Sequence, residues 1–237
     1  MTVDPLCFVD LYNVRDLGGF PTRDGRMTRW ERYVRASGEG VLSKAEKERL
    51  YRHGVRTIVD LRHRSEIARC PSPLMGYRDI RYVSFNLLGQ REFKLNPQCQ
   101  DLGDLYKAWV DRVPERIAFV FEAFYEHREA CVLFHCAAGK DRTGVLAALL
   151  MGLAGCFPED IVASYALSYE NNRRVYTVEN APPEIRPYLP SDPAYMRKLL
   201  RHLDARYGGA EAYLLGAGVR RRSLQVLKVG FVGPAAH

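Results

Sequence analysis

Residues 132–144 read Val132-Leu133-Phe134-His135-Cys136-Ala137-Ala138-Gly139-Lys140-Asp141-Arg142-Thr143-Gly144. The apolar residues predict a buried strand, and the small residues that follow the cysteine predict a tight loop. Residues 145–153 form an amphipathic stretch of good helix formers and predict a helix. A strand, a tight loop and a helix in this order direct the loop N–H groups and the helix N-terminus toward one point. The pattern therefore predicts an anion site.

Cys136 and Arg142 stand at the two ends of this predicted loop. A phosphate monoester suits the arrangement, because a guanidinium offers two parallel N–H donors that a lysine lacks. Cys-x5-Arg alone is a weak signal in a chain with six cysteines. The support for an anion site therefore comes mainly from the surrounding strand, loop and helix pattern. The alternative is that Cys136 is a small buried apolar residue. The charged triplet Lys140-Asp141-Arg142 argues against that alternative, since a core position would have apolar neighbours.

The segment resembles the phosphate-binding loop of the protein tyrosine phosphatase superfamily. The form His-Cys-x-Ala-Gly-Lys-Asp-Arg-Thr-Gly is the one found in bacterial tyrosine phosphatases with broad, "triple" specificity for phosphotyrosine, phosphoserine/threonine and phosphoinositides. Other segments are similar to the same family: residues 13–19, 32–37, 55–62 followed by Glu66, and 207–209 followed by Tyr213, Leu214 and Gly218. The resemblance runs from about residue 13 to about residue 227.

The residue types predict covalent catalysis by Cys136. The helix N-terminus, the converging N–H groups and Arg142 favour its thiolate form. A thiolate can attack phosphorus in line and form a cysteinyl-phosphate, which water then hydrolyses to inorganic phosphate. Thr143 is expected to give its hydroxyl to the sulfur, and His135 is expected to order the loop through its ring N–H.

Six successive backbone amides are expected to hold the phosphate oxygens as charge redistributes. They belong to Ala137, Ala138, Gly139, Lys140, Asp141 and Arg142. The small residues at the start of this series let the backbone approach the phosphate closely. Arg142 and these amides supply the positive field, so the sequence predicts a site that needs neither a metal nor a cofactor.

Two aspartates are candidates for the general acid. Asp141 lies inside the loop, and Asp60 ends its own predicted strand. Superfamily relatives with Lys-Asp-Arg in the loop are thought to use the loop aspartate, so the resemblance favours Asp141 over Asp60. Asp60 could instead pair with a loop arginine.

Lys140 bears on the choice of substrate. A second cation beside Arg142 suits substrates with more charge than one phosphate, such as phosphoinositides. The alternative is a solvated lysine at a helix start, which the helix macrodipole disfavours. Dual-acting lipid phosphatases often have a lysine directly after the cysteine, and Ala137 stands there in this chain. That difference weakens a purely lipid function.

Length and charge agree with one enzyme domain over residues 1–237. The formal charge of +7 and a pI near 9.1 favour acidic partners. Arg220-Arg221-Arg222 forms a basic run that we interpret first as a solvated helix face. No nucleic-acid-binding signature is visible, so we expect no nucleic-acid partner. The sequence leaves the oligomeric state open.

The cysteines have neither metal-ligand nor disulfide-framework spacing. They are Cys7, Cys70, Cys99, Cys131, Cys136 and Cys156. A reactive thiolate needs a reducing compartment, and no signal peptide or membrane-spanning run is visible. We therefore expect a cytoplasmic protein with no transmembrane segment, with export by a route that needs no signal peptide left open. A protective disulfide between Cys131 and Cys136 also stays open at this stage.

Strands alternate with helices along the chain, which predicts an α/β fold with a central, largely parallel sheet flanked by helices. The loop then lies at the carboxyl end of a strand, where such sheets bind ligands. Two segments, residues 90–127 and 169–190, are candidates for a helical lid. The aromatic residues of the first segment have helical spacing, which more often marks a core than a lid.

These observations predict a cysteine-dependent phosphomonoesterase, most closely a tyrosine phosphatase of broad specificity. Its substrates would be phosphorylated proteins or phosphoinositides. An inositol-polyphosphate phosphatase is the alternative among enzymes, and it would need a more basic rim around the site. A pseudophosphatase that binds phosphorylated partners without turnover is the alternative among binding proteins.

Overall fold

The computed structural model of the protein describes residues 11–90, 94–95, 97–173 and 177–234. Within these residues the strands are β1 (Arg15–Asp16), β2 (Met27–Thr28), β3 (Tyr33–Ser37), β4 (Val55–Asp60), β5 (Arg81–Ser84), β6 (Cys131–Cys136) and β7 (Val232–Gly233). The central sheet has the order β1-β3-β6-β4-β5. Its edge strand β1 runs antiparallel to β3, and its other neighbours pair in parallel. The predicted α/β fold with a largely parallel sheet is confirmed.

Helices cover both faces of this sheet. They are α1 (Lys44–Arg52), α2 (Arg64–Arg69), α3 (Leu102–Arg112), α4 (Pro114–Glu126), α5 (Asp141–Ala154), α6 (Pro158–Asn172), α7 (Pro193–Tyr207), α8 (Ala210–Gly216) and α9 (Arg221–Phe231), with a 3₁₀ turn at Arg186–Tyr188. Ser43 caps α1 and forms a capping box with Glu46. No helix of the described residues is long and apolar enough to cross a membrane.

Helix α5 lies in the middle of the larger core. Nearly every residue from Thr143 to its end is buried, so the helix is apolar on all sides. The amphipathic pattern expected for residues 145–153 is therefore wrong, because α6, α8, α9 and the sheet surround the helix. A helix enclosed in this way holds its N-terminus in a fixed position beside the end of β6.

The two cysteines of β6 face opposite sides of the sheet. Cys136 belongs to the larger core with Phe134, whereas Cys131 belongs to the smaller core with Leu133. Five residue steps along a strand separate the two by about 16 Å. A disulfide needs Cα atoms within about 7 Å, so the structure excludes the Cys131–Cys136 bond that the sequence left open. Cys7 lies outside the described residues.

Candidate active site

Cys136 is the last residue of β6 and its side chain is 2% exposed. It lies opposite Ser37 of β3, at the carboxyl end of the central strand. Residues 136–142, which we call the anion loop, then turn into α5. Gly139 has φ +63, and a Cβ there would lie 2.2 Å from the carbonyl oxygen of Ala36. The close passage of the loop over β3 therefore requires glycine at this position.

Three side chains hold the carbonyl groups of the anion loop from behind. Asn13 Nδ2 donates to the carbonyl oxygens of Ala138 at 3.0 Å and Gly139 at 2.9 Å. Arg35 Nη2 donates to Gly139 O at 2.8 Å, and Asn172 Nδ2 donates to Ala138 O at 3.1 Å. In a trans peptide the N–H points away from the carbonyl. Holding these carbonyls therefore turns the next amides toward the opposite side, where an anion would lie.

Arg35 brings a positive charge beneath the anion loop. It is fully buried on β3, and burial lowers the pKa of its guanidinium to about 10. Its neighbours include Cys136 and Asp141, and a negative charge on either one favours the charged guanidinium. Asn13 and Arg35 lie in the segments 13–19 and 32–37 that resemble the family, but their role behind the loop was not predicted.

Arg142 is held by Glu66 of α2 through two hydrogen bonds. Nη1 donates to Oε2 and Nη2 donates to Oε1, each at 2.7 Å. Burial alone would lower the pKa of Arg142, but the hydrogen bonds and charge of Glu66 raise it above its usual value. Glu66 also accepts a hydrogen bond from the backbone N–H of His63 at 2.8 Å. The guanidinium is therefore charged and fixed in orientation.

Asp141 is the first residue of α5 and its side chain is 24% exposed. Its Oδ1 accepts hydrogen bonds from the hydroxyl of Tyr106 and from Lys140 Nζ, the latter at 2.6 Å. Lys140 is only 3% exposed, and its Nζ also donates to the carbonyl oxygen of Pro190 at 3.0 Å. The alternative of a solvated lysine is therefore wrong, because the ammonium group is bound on two sides.

Asp60 has a different environment. Its carboxylate is buried and accepts hydrogen bonds from Arg62 Nε and Nη2, and from the Tyr82 hydroxyl at 2.6 Å. Burial alone would raise the pKa of Asp60, but the hydrogen bonds from Arg62 lower it below its usual value. The structure thus places Asp60 in a buried ion pair with the arginine of its own strand end, and not with a loop arginine.

His135 precedes Cys136 on β6, and Thr143 lies in the first turn of α5. The His135 ring makes contacts of 3.2 Å with the carbonyl oxygen of Cys136 and with the hydroxyl of Ser72. Burial lowers the pKa of His135, which favours a neutral ring with one N–H. The Thr143 hydroxyl is buried and has no hydrogen-bond partner among the described residues, so the expected bond to the sulfur is not formed here.

A pocket of about 240 Å³ opens beside the anion loop. Ala137, Ala138, Lys140 and Asp141 line it from the loop. The remaining lining residues are Glu39, Asn172 and an apolar wall formed by Tyr169, Ile185, Tyr188 and Leu189. Part of the candidate lid over residues 169–190 therefore adjoins the loop, although Arg174, Val175 and Tyr176 lie outside the described residues.

The other candidate lid has a different position. Helices α3 and α4 contribute Tyr106, Trp109, Phe121 and Phe124 to the larger core. These four aromatic residues are thus core residues, as their helical spacing favoured, whereas Phe119 is exposed. Residues 91–93 and 96 of this segment lie outside the described residues. No group of three or more His, Cys, Asp or Glu side chains in the described parts of the chain is arranged to hold a metal ion.

The fold and the anion loop together define an anion site at the carboxyl end of a central strand, with Cys136 at its base. Residues 6–232 match the sequence model of the tyrosine phosphatase family, and the chain belongs to that family. It is 32% identical over 214 residues to a tyrosine-protein phosphatase of Nostoc commune, which covers 83% of this chain and 73% of that protein. A putative tyrosine-protein phosphatase from Cupriavidus necator is 29% identical over 230 residues, and the match covers 90% of this chain and 83% of that protein. The crystal structure of TpbA from P. aeruginosa aligns with a TM-score of 0.38 and 18% identity, covering 86% of this chain and 88% of that one.

Proposed function

We propose that this protein hydrolyses phosphate monoesters through a cysteinyl-phosphate intermediate. The observation that carries the proposal is the anion loop, whose carbonyl groups are held from behind while Cys136 lies at its base. The Cys136 thiolate attacks phosphorus, and the electrons of the breaking P–O bond leave with the ester oxygen. Water then attacks the cysteinyl-phosphate, inorganic phosphate departs, and the S–P electrons return to the sulfur.

In this proposal the positive groups around the loop stabilise the transferring phosphoryl group. The amides of residues 137–142 and the Arg142 fork bind its oxygens. Glu66 keeps the Arg142 guanidinium oriented. His135 orders the end of β6 through the contact between its ring and the carbonyl oxygen of Cys136. The Thr143 hydroxyl is a donor that can turn to the sulfur and help it leave in the second step.

We assign the general acid to Asp141. It lies in the anion loop, borders the pocket and keeps part of its surface open to the substrate. It protonates the leaving oxygen in the first step, and in the second its carboxylate takes a proton from the attacking water. Asp60 is a weaker candidate, because its carboxylate is fully buried and Arg62 binds both of its oxygens, so neither oxygen is open to a leaving group.

Phosphotyrosine is the substrate that we place first. The apolar wall formed by Tyr169, Ile185, Tyr188 and Leu189 suits an aromatic leaving group next to the loop. Phosphoserine, phosphothreonine and phosphoinositides are slower substrates in this proposal, because their leaving groups bury less apolar surface there. An inositol polyphosphate has less support, since the ammonium group of Lys140 is already bound by Asp141 and Pro190. A catalytic thiolate needs a reducing compartment, which supports the cytoplasm as the place of action.

The test is hydrolysis of para-nitrophenyl phosphate in excess EDTA by the wild type and by Cys136→Ser. We expect turnover by the wild type without metal and none by the variant. Phosphotyrosine peptide, phosphoserine peptide and phosphoinositide are then compared by kcat/KM in the same buffer. Equal activity of both proteins would contradict the proposal, and binding of phosphopeptide without turnover would identify a pseudophosphatase.

A further inference from the structure

Two buried tyrosines stand behind Asp141. Tyr106 comes from α3 and Tyr165 from α6, and their hydroxyl oxygens are 2.7 Å apart. The Tyr106 hydroxyl also bonds Oδ1 of Asp141. The mechanism proposed above uses neither tyrosine. Buried hydroxyl groups that are linked in a chain of hydrogen bonds polarise one another. Tyr165 therefore strengthens the hydrogen bond between Tyr106 and the carboxyl group of Asp141.

The direction of this chain follows from the chemistry of its end. A carboxylate can only accept hydrogen bonds, so the Tyr106 proton points to Asp141. The oxygen of Tyr106 is then left as acceptor, and Tyr165 must donate to it. Burial raises the pKa of both tyrosines, which keeps both hydroxyl groups protonated.

The two oxygens of Asp141 are treated differently by the fold. Tyr106 and Lys140 both donate to Oδ1. Oδ2 accepts no hydrogen bond from the described residues, and Asp141 lines the pocket beside the loop. Binding one oxygen on two sides fixes the plane of the carboxyl group and leaves the other oxygen free for the proton that is transferred.

We propose that Tyr106, supported by Tyr165, is a positioning residue for the general acid, and that it ties Oδ1 of Asp141 so that Oδ2 carries the catalytic proton. The proposal rests on the proposed function. In the first step the proton moves from Oδ2 to the leaving ester oxygen as the P–O bond breaks. The resulting carboxylate is stabilised by the hydrogen bond that Tyr106 donates, and in the second step Oδ2 takes a proton back from water.

Several charged and titratable groups surround Asp141. Lys140 and Arg142 flank it in the loop, and Arg35 approaches from β3. Tyr106 and Tyr165 approach from α3 and α6. All the cations remain in a tyrosine variant, so replacing one hydroxyl by hydrogen isolates the contribution of the hydrogen bond.

The experiment compares Tyr106→Phe with wild type on two substrates with different leaving groups. Phenyl phosphate has a poor leaving group and depends on protonation, whereas para-nitrophenyl phosphate depends on it much less. We expect kcat/KM to fall about tenfold for phenyl phosphate, as for loss of one hydrogen bond to a charged group, and little for the nitrophenyl ester. The alkaline limb of the kcat/KM profile moves to higher pH, because the carboxylate has lost a donor.

Tyr213→Phe is the matched control. Its hydroxyl is also buried and donates to the carbonyl oxygen of Val110 on the same helix α3, without a contact to Asp141. We expect this variant to keep the wild-type profile and the wild-type ratio between substrates. Tyr165→Phe is the second test variant and should shift the alkaline limb in the same direction as Tyr106→Phe, by less.

Equal losses on both substrates with an unmoved pH profile would overturn the inference, since they would show a purely structural role. An alkaline limb that persists in Asp141→Asn would also overturn it while leaving thiolate catalysis intact. Turnover by Cys136→Ser would refute the proposed function itself. The three failures are therefore distinguishable.

Discussion

At the scale of single residues, the pair of Arg142 and Glu66 gives the sharpest prediction. In Glu66→Gln the guanidinium keeps its charge but loses the carboxylate that orients it. A hydrogen bond to a charged group contributes about 1.5–3 kcal/mol, so kcat/KM should fall roughly 10- to 100-fold. The measurement is the steady-state rate together with the inhibition constant of inorganic phosphate.

Glu46→Gln provides the control for this prediction. Glu46 occupies the same capping-box position in α1 that Glu66 occupies in α2, and among the described residues Arg142 pairs with Glu66 and not with Glu46. The two variants therefore change a helix cap in the same way, and only one changes the active site. A similar loss of activity in both would mean that helix capping, and not the orientation of Arg142, is responsible.

The same scale shows how far the sequence predicts the site. Cys136 and Arg142 follow from one local motif, because a strand, a loop and a helix bring them together within seven residues. Tyr106 and Asn13 were not assigned to the site, since they reach the loop from 35 and 125 residues away in the chain. Contacts at such separations depend on how the elements pack, which local patterns do not encode.

At the scale of elements, the junction of loop and helix depends on Gly139. We expect Gly139→Ala to lose both stability and activity, because its Cβ would meet the carbonyl oxygen of Ala36 at 2.2 Å. Gly155, at the other end of α5, has a similar φ of +84 but open space around it. Alanine in this left-handed region costs about 1–2 kcal/mol at both sites.

Comparison of Gly139→Ala with Gly155→Ala separates collision from backbone strain. Denaturant unfolding should show a larger loss of free energy for the first variant. The rate with para-nitrophenyl phosphate should fall only for the first, since the second lies far along α5 from the anion loop. Equal effects in both assays would contradict the close passage of the loop over β3.

The sequence patterns of the elements predicted the strands of the sheet better than they predicted α5, the helix in the middle of the larger core. The strands that end at Asp60 and Cys136 were recognisable because a fully buried parallel strand is a short apolar run. Helix α5 was expected to have a polar side. Whether a helix has a solvent-facing side depends on how many neighbours surround it, and residues 145–153 carry too little polarity to decide this alone.

At the scale of the whole molecule, acid should weaken the fold through Asp60. The pKa of Asp60 in the folded protein is lowered below the ordinary value of 3.8. The ionised carboxylate therefore stabilises the fold fully at pH values above 3.8. This stabilisation is lost as the pH falls through the folded-state pKa. Asp60→Asn leaves Arg62 buried without its counter-charge, which costs about 3–5 kcal/mol at neutral pH. The difference from wild type should shrink below about pH 4.

Denaturant titrations between pH 3 and about pH 7 measure this change in the free energy of unfolding. Asp24→Asn serves as control, because it removes an aspartate–arginine pair that lies exposed in a surface turn. A gap between Asp60→Asn and wild type that stays constant over the whole range would refute the assignment of acid sensitivity to Asp60.

We also propose that residues 1–237 fold as one domain. The smaller and larger cores share β6, which contributes alternate residues to each. Far-ultraviolet circular dichroism and the fluorescence of Trp30 and Trp109 should therefore report one coincident unfolding transition. Two separated transitions would show that the cores unfold independently.

The anchoring of the Ala138 and Gly139 carbonyls has a consequence for selectivity. A loop that is already ordered before its ligand binds recognises the size and charge of a tetrahedral oxyanion, and not the element at its centre. Vanadate, arsenate and sulfate should thus compete with phosphate for the same amides. These oxyanions are distinguished by chemistry, namely by how readily the central atom accepts a fifth ligand. Phosphate esters are distinguished by the apolar wall beside the anion loop.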